Sequence, residues 1–122
     1  MALLYEDLSS KLLAACFEVS KELGAGFVES VYENALLIAL RQKGIAAEAQ
    51  VPLKVTFRGE IVGDFYADIL VEDKIIIELK AAKALAPEHQ AQLINYLKAT
   101  GIEVGLLVNF GKPKLEYRRL HK

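Results

Sequence analysis

The run Ile75-Ile76-Ile77 constrains the fold more than any other feature of this sequence. Three successive β-branched residues predict a buried β-strand. The strand ends in Glu78-Leu79-Lys80, which places a carboxylate and an ammonium group at the end of a hydrophobic segment, and Asp68 lies ten residues upstream of Glu78. This end of the strand is therefore either an ordinary solvated terminus or a metal site with its lysine.

The segments around this strand predict an α/β fold with the element order ααβββαββ. A first helix with one apolar stripe precedes a second, expected from Glu29 to Gln42. Three strand-like runs follow, separated by Arg58-Gly59 and by Glu72-Asp73-Lys74. A helix from Pro87 to Thr100, the nearly continuous apolar strand IEVGLLVNF and a short amphipathic strand complete the chain. The prediction is a mixed β-sheet flanked by helices.

Composition and charge exclude several classes of protein. The 122 residues suffice for a single domain, predicted over residues 1–122, and the hydrophobic fraction of 53% leaves little room for disorder. A net charge of −1 provides no strong basic field for nucleic acid, although it allows a local basic channel. The single cysteine, Cys16, is expected to be a buried structural thiol. Neither a signal-peptide pattern nor an apolar run near the roughly 20 residues of a membrane span occurs, so we expect a cytoplasmic protein without membrane contact.

The geometry of the acidic residues depends on the length of one loop. If Glu72-Asp73-Lys74 is a three-residue hairpin loop, Asp68 lies directly opposite Glu78. A two-residue loop would instead put the two carboxylates on opposite faces of the sheet. Brought together, they offer hard oxygen ligands for Mg²⁺ or Mn²⁺, and Lys80 would hold or deprotonate an attacking water, or stabilise the developing charge of a phosphate. The alternative is a pair of ordinary salt-bridged charges at a strand end.

Two helices add polar side chains that bear on this site. Gln92 and Tyr96 share one helix face and would contact a phosphate or orient the lysine. Taken singly, the pattern favours a half-buried core aromatic for Tyr96 and a surface residue for Gln92. On the upstream helix, Glu29 or Glu33 would complete the acidic cluster. Their alternatives are a solvated helix face or, for Glu29, a first-turn acid favoured by the helix dipole.

The remaining features are less informative. Phe110 and Tyr66 are predicted core aromatics, and Asn109 either faces the site or lies in a turn. The basic segment GKPKLEYRRLHK either tracks phosphates or is a solvated tail. Because no glycine-rich loop follows a strand and no nucleophile turn is present, a small-molecule enzyme has little support.

Together the motifs resemble the PD-(D/E)xK nuclease superfamily. The resemblance rests on Asp68 and the Glu78-Leu79-Lys80 triplet on adjacent strands, a glutamate on the preceding helix, and Q-x-x-x-Y on the following one. More narrowly, the segments GAGFVESVYENAL, YADILVEDKIIIELKA, HQAQLINYLKATG and VGLLVNFG resemble the GxxExxY family. Gly26, Glu29 and Tyr32 spell that family's name here.

The resemblance implies a restriction-endonuclease-like core and a Mg²⁺- or Mn²⁺-dependent nuclease. One departure is Ala67, where the superfamily usually has proline before the first acid. The catalytic and metal-binding residues that it implies are Asp68, Glu78, Lys80, Gln92, Tyr96 and Glu33, with Glu29 as the rival of Glu33. The expected partner is nucleic acid, with DNA favoured over RNA, and a homodimer would grip both strands by analogy with related nucleases. The alternative is a catalytically weak or inactive nuclease-fold module that binds or regulates beside a partner.

Overall fold

The computed structural model of the chain describes residues 4–122. Residues 1–3, which belong to the predicted domain and to the N-terminal segment considered for a signal peptide, lie outside the described residues. The described part contains three helices and five strands in the predicted order, so the expected α/β class is confirmed. The elements are α1 Glu6–Leu23, α2 Glu29–Gln42, β1 Ala47–Phe57, β2 Glu60–Val71, β3 Ile75–Lys80, α3 Pro87–Thr100, β4 Val104–Asn109 and β5 Glu116–His121.

The five strands form one mixed sheet in the order β1-β2-β3-β4-β5. The first three are antiparallel neighbours, β4 runs parallel to β3, and β5 returns antiparallel to β4. A parallel pair requires a crossover of a dozen residues or more, which α3 supplies here. Every residue of β4 is buried, as expected for a strand inside the sheet.

Helices cover both faces of the sheet. α1 and α2 lie on one face, where Leu12 belongs to the same buried cluster as Ile77. α3 lies on the other face, where Leu93 packs with Ile76. Side chains alternate along β3, so its β-branched run is buried from both sides. Cys16 is buried in the layer of α1 and α2 as expected, and this burial raises the pKa of its thiol to about 12.

The loop between β2 and β3 has three residues, the longer of the two lengths considered. Val71 pairs with Ile75, and the third loop residue, Lys74, donates its N–H to the carbonyl of Val71 at 2.8 Å. The two residues before it have φ of 50° and 56°, in the left-handed region. This register brings Asp68 and Glu78 opposite each other.

The ladder between β2 and β3 is short. It ends at the pair Ile69–Ile77, whereas β1 and β2 remain paired as far as the turn between them. Residues 51–67 therefore form a two-stranded hairpin that extends beyond β3, here called the ribbon. Tyr66 lies on the ribbon and is 55% exposed, so its prediction as a core aromatic was wrong, because no third strand among residues 4–122 pairs with this part of β2. Phe110 is buried as predicted.

No helix among residues 4–122 is both long enough and apolar enough to cross a membrane.

Candidate active site

Asp68 and Glu78 meet at the point where β2 and β3 separate. Oε1 of Glu78 accepts a hydrogen bond from the backbone N–H of Asp68 at 3.1 Å. Oδ2 of Asp68 accepts one from the backbone N–H of Leu79 at 2.8 Å. These two bonds join the strands just beyond the end of the regular β2–β3 ladder. One oxygen of each carboxylate is thus committed to the neighbouring strand, and the two acids are held side by side.

The electrostatics of this pair are those of two acids confined together. Glu78 is only 4% exposed. Burial, followed by the negative charge of Asp68, raises the pKa of Glu78 to about 8, while the ammonium group of Lys80 has a weaker opposing effect. Neither acid forms a salt bridge with any residue that the structure describes. A buried carboxylate beside a second one, with no ion-pair partner, is an environment that a cation would stabilise.

Of the two rival glutamates on α2, Glu33 is the one that hydrogen bonds join to Asp68. Nε2 of Gln50 donates to Oε1 of Glu33 at 2.7 Å and to Oδ1 of Asp68 at 3.4 Å. Burial raises the pKa of Glu33, and the charges of Asp68 and Glu29 act in the same direction. Glu29 lines the same cleft of about 160 Å³ without taking part in these bonds. The structure therefore brings Glu33 into the cluster and leaves Glu29 at its margin.

Gln50 was not expected at the site. It has φ of 54° and has no Cα partner on β2. Counting back from the tight turn between β1 and β2 would pair it with Ala67. An irregularity between Val55 and Thr56 shifts the register by one residue, which places Gln50 across from Asp68 instead. Since a bulge of one residue has no clear signature in the sequence, this contact could not be found by counting.

Lys80 and Gln92 come together on the α3 side of the sheet. Nζ of Lys80 donates to Oε1 of Gln92 at 3.5 Å. Tyr96 is 8% exposed, and burial, then the charges of Glu78 and Asp68, raises the pKa of its hydroxyl. Gln92 is thus a surface residue in contact with the candidate lysine. Tyr96 is a core aromatic whose hydroxyl pKa is also affected by the charges of the acidic pair.

Asn109 fixes the segment that follows Lys80 rather than facing the acids. Its side chain bonds both the N–H and the carbonyl of Ala82 at 2.9 Å, and it also accepts from the N–H of Gly111. A Cβ at Gly111 would stand 2.2 Å from the carbonyl oxygen of Ala82, so a larger residue does not fit there. Asn109 is thus neither directed at the acids nor in a turn: it is the last residue of β4, and its side chain holds the segments at Ala82 and Gly111.

Tyr32 holds the loop in front of α2. Its hydroxyl donates to the carbonyl of Gly24 at 2.6 Å and accepts from the N–H of Phe27 at 3.2 Å. Its ring stacks on Phe110 with centroids 4.8 Å apart. The tyrosine therefore positions the start of α2, the helix that carries Glu33.

Asp68 and Glu78 are the candidate metal ligands. Among residues 4–122 no group of three or more His, Cys, Asp or Glu side chains is arranged to hold a metal ion. The chemistry of the donors nevertheless fits a hard cation. Glu78 is buried and Asp68 half-buried, neither has an ion-pair partner among the described residues, and Mg²⁺ binds through one or two carboxylates while keeping several waters.

These observations define a class of domain: an α/β sheet in which an aspartate and a glutamate-x-lysine triplet meet where two central strands separate. A family model described as the PD-(D/E)XK nuclease superfamily matches residues 6–120. The chain belongs to this superfamily, which confirms the superfamily part of the resemblance noted from the sequence.

A solved structure described as the crystal structure of SSO0001 is similar in fold. It aligns with a TM-score of 0.61 and 22% sequence identity, over 97% of this chain and 59% of that one. This chain therefore spans less than two thirds of that protein, and the likeness concerns the fold alone. A comparison with curated proteins finds no significant match.

Proposed function

We propose that the chain is a metal-dependent nuclease that hydrolyses phosphodiester bonds in nucleic acid. The observation that supports it most is the meeting of a buried Glu78 and a half-buried Asp68 at the separation of β2 and β3, with no salt bridge from either acid to any described residue. Membership of the PD-(D/E)XK nuclease superfamily supports nucleic acid as the substrate class.

In this proposal Asp68 and Glu78 hold Mg²⁺ or Mn²⁺, with Glu33 favoured over Glu29 as the third acid because of its link through Gln50. A bound metal would polarise a phosphate oxygen and lower the pKa of a bound water. The ammonium group of Lys80 positions the attacking water or balances negative charge on the phosphate.

On α3, Gln92 and Tyr96 support this arrangement. The Gln92 amide contacts Lys80 and restrains the lysine side chain, which reduces the number of positions its ammonium group visits. Tyr96 presents a hydroxyl group whose pKa is raised by burial and then by the charges of Glu78 and Asp68. Its role is to donate a hydrogen bond to a phosphate oxygen.

Three finer assignments belong to the same proposal. The chain is a member of the GxxExxY family within its superfamily in this proposal, which the motif formed by Gly26, Glu29 and Tyr32 supports. DNA is the favoured substrate over RNA, and a homodimer would allow two small subunits to act on both strands. We also treat residues 1–122 as one nuclease-like domain.

The test is a cleavage assay on purified protein with Mg²⁺ or Mn²⁺, using linear, branched and single-stranded DNA and RNA. We expect metal-dependent cutting that falls at least about 100-fold in both Glu78→Ala and Lys80→Ala. Glu22→Ala and Lys21→Ala, which remove the same charge types from the exposed side of α1, should retain activity. Cutting that survives in the two site variants would contradict the assignment.

A second candidate is a catalytically weak binding or regulatory module that acts beside a partner. It is favoured by the backbone hydrogen bonds that already occupy one oxygen of each acid, and by the raised pKa of Glu78. Calorimetry with Mg²⁺ and Mn²⁺ separates the two. A wild type that neither cuts nor binds metal would leave the module as the better account.

A further inference from the structure

A groove of about 770 Å³ lies between the ribbon and α3. It is much larger than the cleft of about 160 Å³ beside Glu33 and Asp68. Its volume falls within the roughly 300–1,000 Å³ typical of sites that enclose a small molecule. The side chains used below come from its two walls: Lys54, Thr56 and Phe65 from the ribbon, and Gln92, Asn95 and Lys98 from α3.

The groove carries positive charge on both of its walls. Lys54 projects from β1 and Lys98 from α3, and both residues are exposed. Glu88 is the one carboxylate among the described lining residues. Thr56 and Asn95 add neutral hydrogen-bonding groups between the charges. Two ammonium groups facing one channel suit a ligand that carries repeated negative charge along its length.

The groove also offers an aromatic surface. Phe65 is 42% exposed, and its ring lies 5.7 Å from that of Tyr96, centroid to centroid. A Cβ at Gly63 would stand 2.8 Å from Cε2 of Phe65, so the glycine leaves room for the ring to lie along the ribbon. Because the ring is backed by Tyr96 and still half open to solvent, it is available for a planar ligand to stack on.

One end of the groove reaches the candidate active site. Gln92 lines the groove and also contacts Nζ of Lys80 at 3.5 Å. Tyr96 lines it as well, and the charges of Glu78 and Asp68 act on its hydroxyl. A ligand that follows the groove would therefore end beside the acids and the lysine.

We propose that this groove binds a single-stranded nucleic acid segment and leads its backbone to Lys80. A base stacks on Phe65, and the phosphates pass between Lys54 and Lys98. Cationic walls and an aromatic platform are the combination by which proteins hold single strands without reading their sequence. Because a base inside a duplex is already stacked between its neighbours, the half-open ring of Phe65 favours a single strand over a duplex. This inference rests on the proposed function and adds to it the form of the substrate.

The test is metal-free binding, measured by fluorescence anisotropy of labelled oligothymidylate in the presence of a chelator, so that no cleavage occurs. Wild type should bind the single strand more tightly than a duplex of the same length. Phe65→Ala should weaken single-strand binding roughly 5- to 150-fold, the range expected when one base no longer stacks on the protein. Phe65→Leu keeps apolar volume against Tyr96, so weakened binding in this variant would not reflect misfolding.

The lysines are tested through the salt dependence of the same binding. The double variant Lys54→Ala/Lys98→Ala should reduce the magnitude of the slope of log K against log [salt] by about 1.4, or about 0.7 for each phosphate that the protein no longer neutralises. Phe17→Ala and Lys21→Ala are matched controls, since both residues lie on exposed positions of α1, on the opposite face of the sheet. Both controls should bind as wild type does.

The outcomes separate this inference from the proposed function. Binding that is unaffected by the groove variants overturns the inference, even if Mg²⁺-dependent cleavage is present. Equal binding of duplex and single strand overturns the single-strand assignment. If the variants instead convert a dimer to a monomer in sedimentation experiments and leave oligonucleotide binding unchanged, the groove receives a second copy and the inference is wrong. Binding that depends on Phe65 without any cleavage would support the groove and contradict the nuclease.

Discussion

Glu78 carries its carboxyl group into a part of the sheet where Asp68 already holds a negative charge, and it is 4% exposed there. With a pKa of about 8, it retains a proton at neutral pH when no cation is near. In the proposed function a metal ion binds the deprotonated group, so it would have to displace that proton. The apparent affinity for the metal is therefore expected to rise with pH up to about 8, and calorimetric titration with Mn²⁺ at several pH values measures it.

The same group makes the stability of the metal-free protein depend on pH. The folded-state pKa of about 8 exceeds the ordinary value of 4.5, so the folded protein holds a proton that the unfolded chain has released between these values. The contribution of Glu78 to the free energy of unfolding is thus complete below pH 4.5. It declines by at most about 1.4 kcal/mol per pH unit between these two values and levels off above about pH 8.

Glu78→Gln removes this titration while keeping the shape of the side chain. We expect the variant to be more stable than wild type at about pH 8 and to lose the decline between about pH 5 and 8. Urea unfolding in chelator at several pH values measures both effects. Glu22→Gln, an exposed change on α1, should follow the wild-type curve. If wild type and Glu78→Gln give parallel curves, burial of a protonated Glu78 is not the cause.

Two short irregularities decide which side chains face each other at the site. The three-residue loop between β2 and β3 sets Asp68 against Glu78. The bulge at Val55 and Thr56 sets Gln50 against Asp68. A change of one residue in either element would move a whole strand face, because side chains alternate with a period of two. The site therefore depends on backbone features at positions in the sequence other than those of the acids.

The loop offers a direct test of this view. Asp73 adopts φ of 56°, a conformation that costs a residue with a Cβ roughly 1–2 kcal/mol and glycine almost nothing. Asp73→Gly should therefore raise the free energy of unfolding by about 1 kcal/mol while keeping the register. The same replacement at Asp64, inside β2, should lower it by roughly 0.5–1 kcal/mol. Urea denaturation of both variants is the measurement, and destabilisation by Asp73→Gly would show that the loop is not strained.

The helices could be predicted because residues with known conformational preferences, such as proline and glycine, mark where they begin and end. α2 and α3 span the residues expected for them, since Pro87 suits a first turn and Gly101 adopts the left-handed conformation that ends α3. The loop length stayed open because Glu72-Asp73-Lys74 suits either count. Gln50 was missed because the bulge left no mark in the sequence, and Tyr66 was misplaced because an apolar strand does not show where its neighbour ends.

At the scale of the whole molecule, the two faces of the sheet are covered unequally. α1 and α2 together cover one face, while α3 alone packs on the other. A net charge of −1 over 122 residues coexists with lysines gathered on both walls of the groove beside α3. The local arrangement, rather than the overall charge, therefore decides where an anionic ligand would bind.

The ribbon also divides the molecule by how readily its backbone opens. In the part of β2 that precedes Ile69, the edge facing away from β1 has no strand to pair with among the described residues. By contrast, β4 is paired on both sides and buried throughout. Amide hydrogens in β4 should exchange with deuterium only when the protein unfolds globally, and those of the ribbon through local openings of much lower free energy.

Hydrogen–deuterium exchange followed by mass spectrometry should thus show slow exchange in β4 and fast exchange in the ribbon. Addition of single-stranded DNA should slow exchange in the ribbon and leave the exchange rates in β4 unchanged. Equal exchange rates in peptides from the ribbon and from β4 would contradict this division. If the ribbon exchanges faster than β4, the point where β2 and β3 separate is both the place where the acids meet and the boundary between the rigid and the mobile parts of the protein.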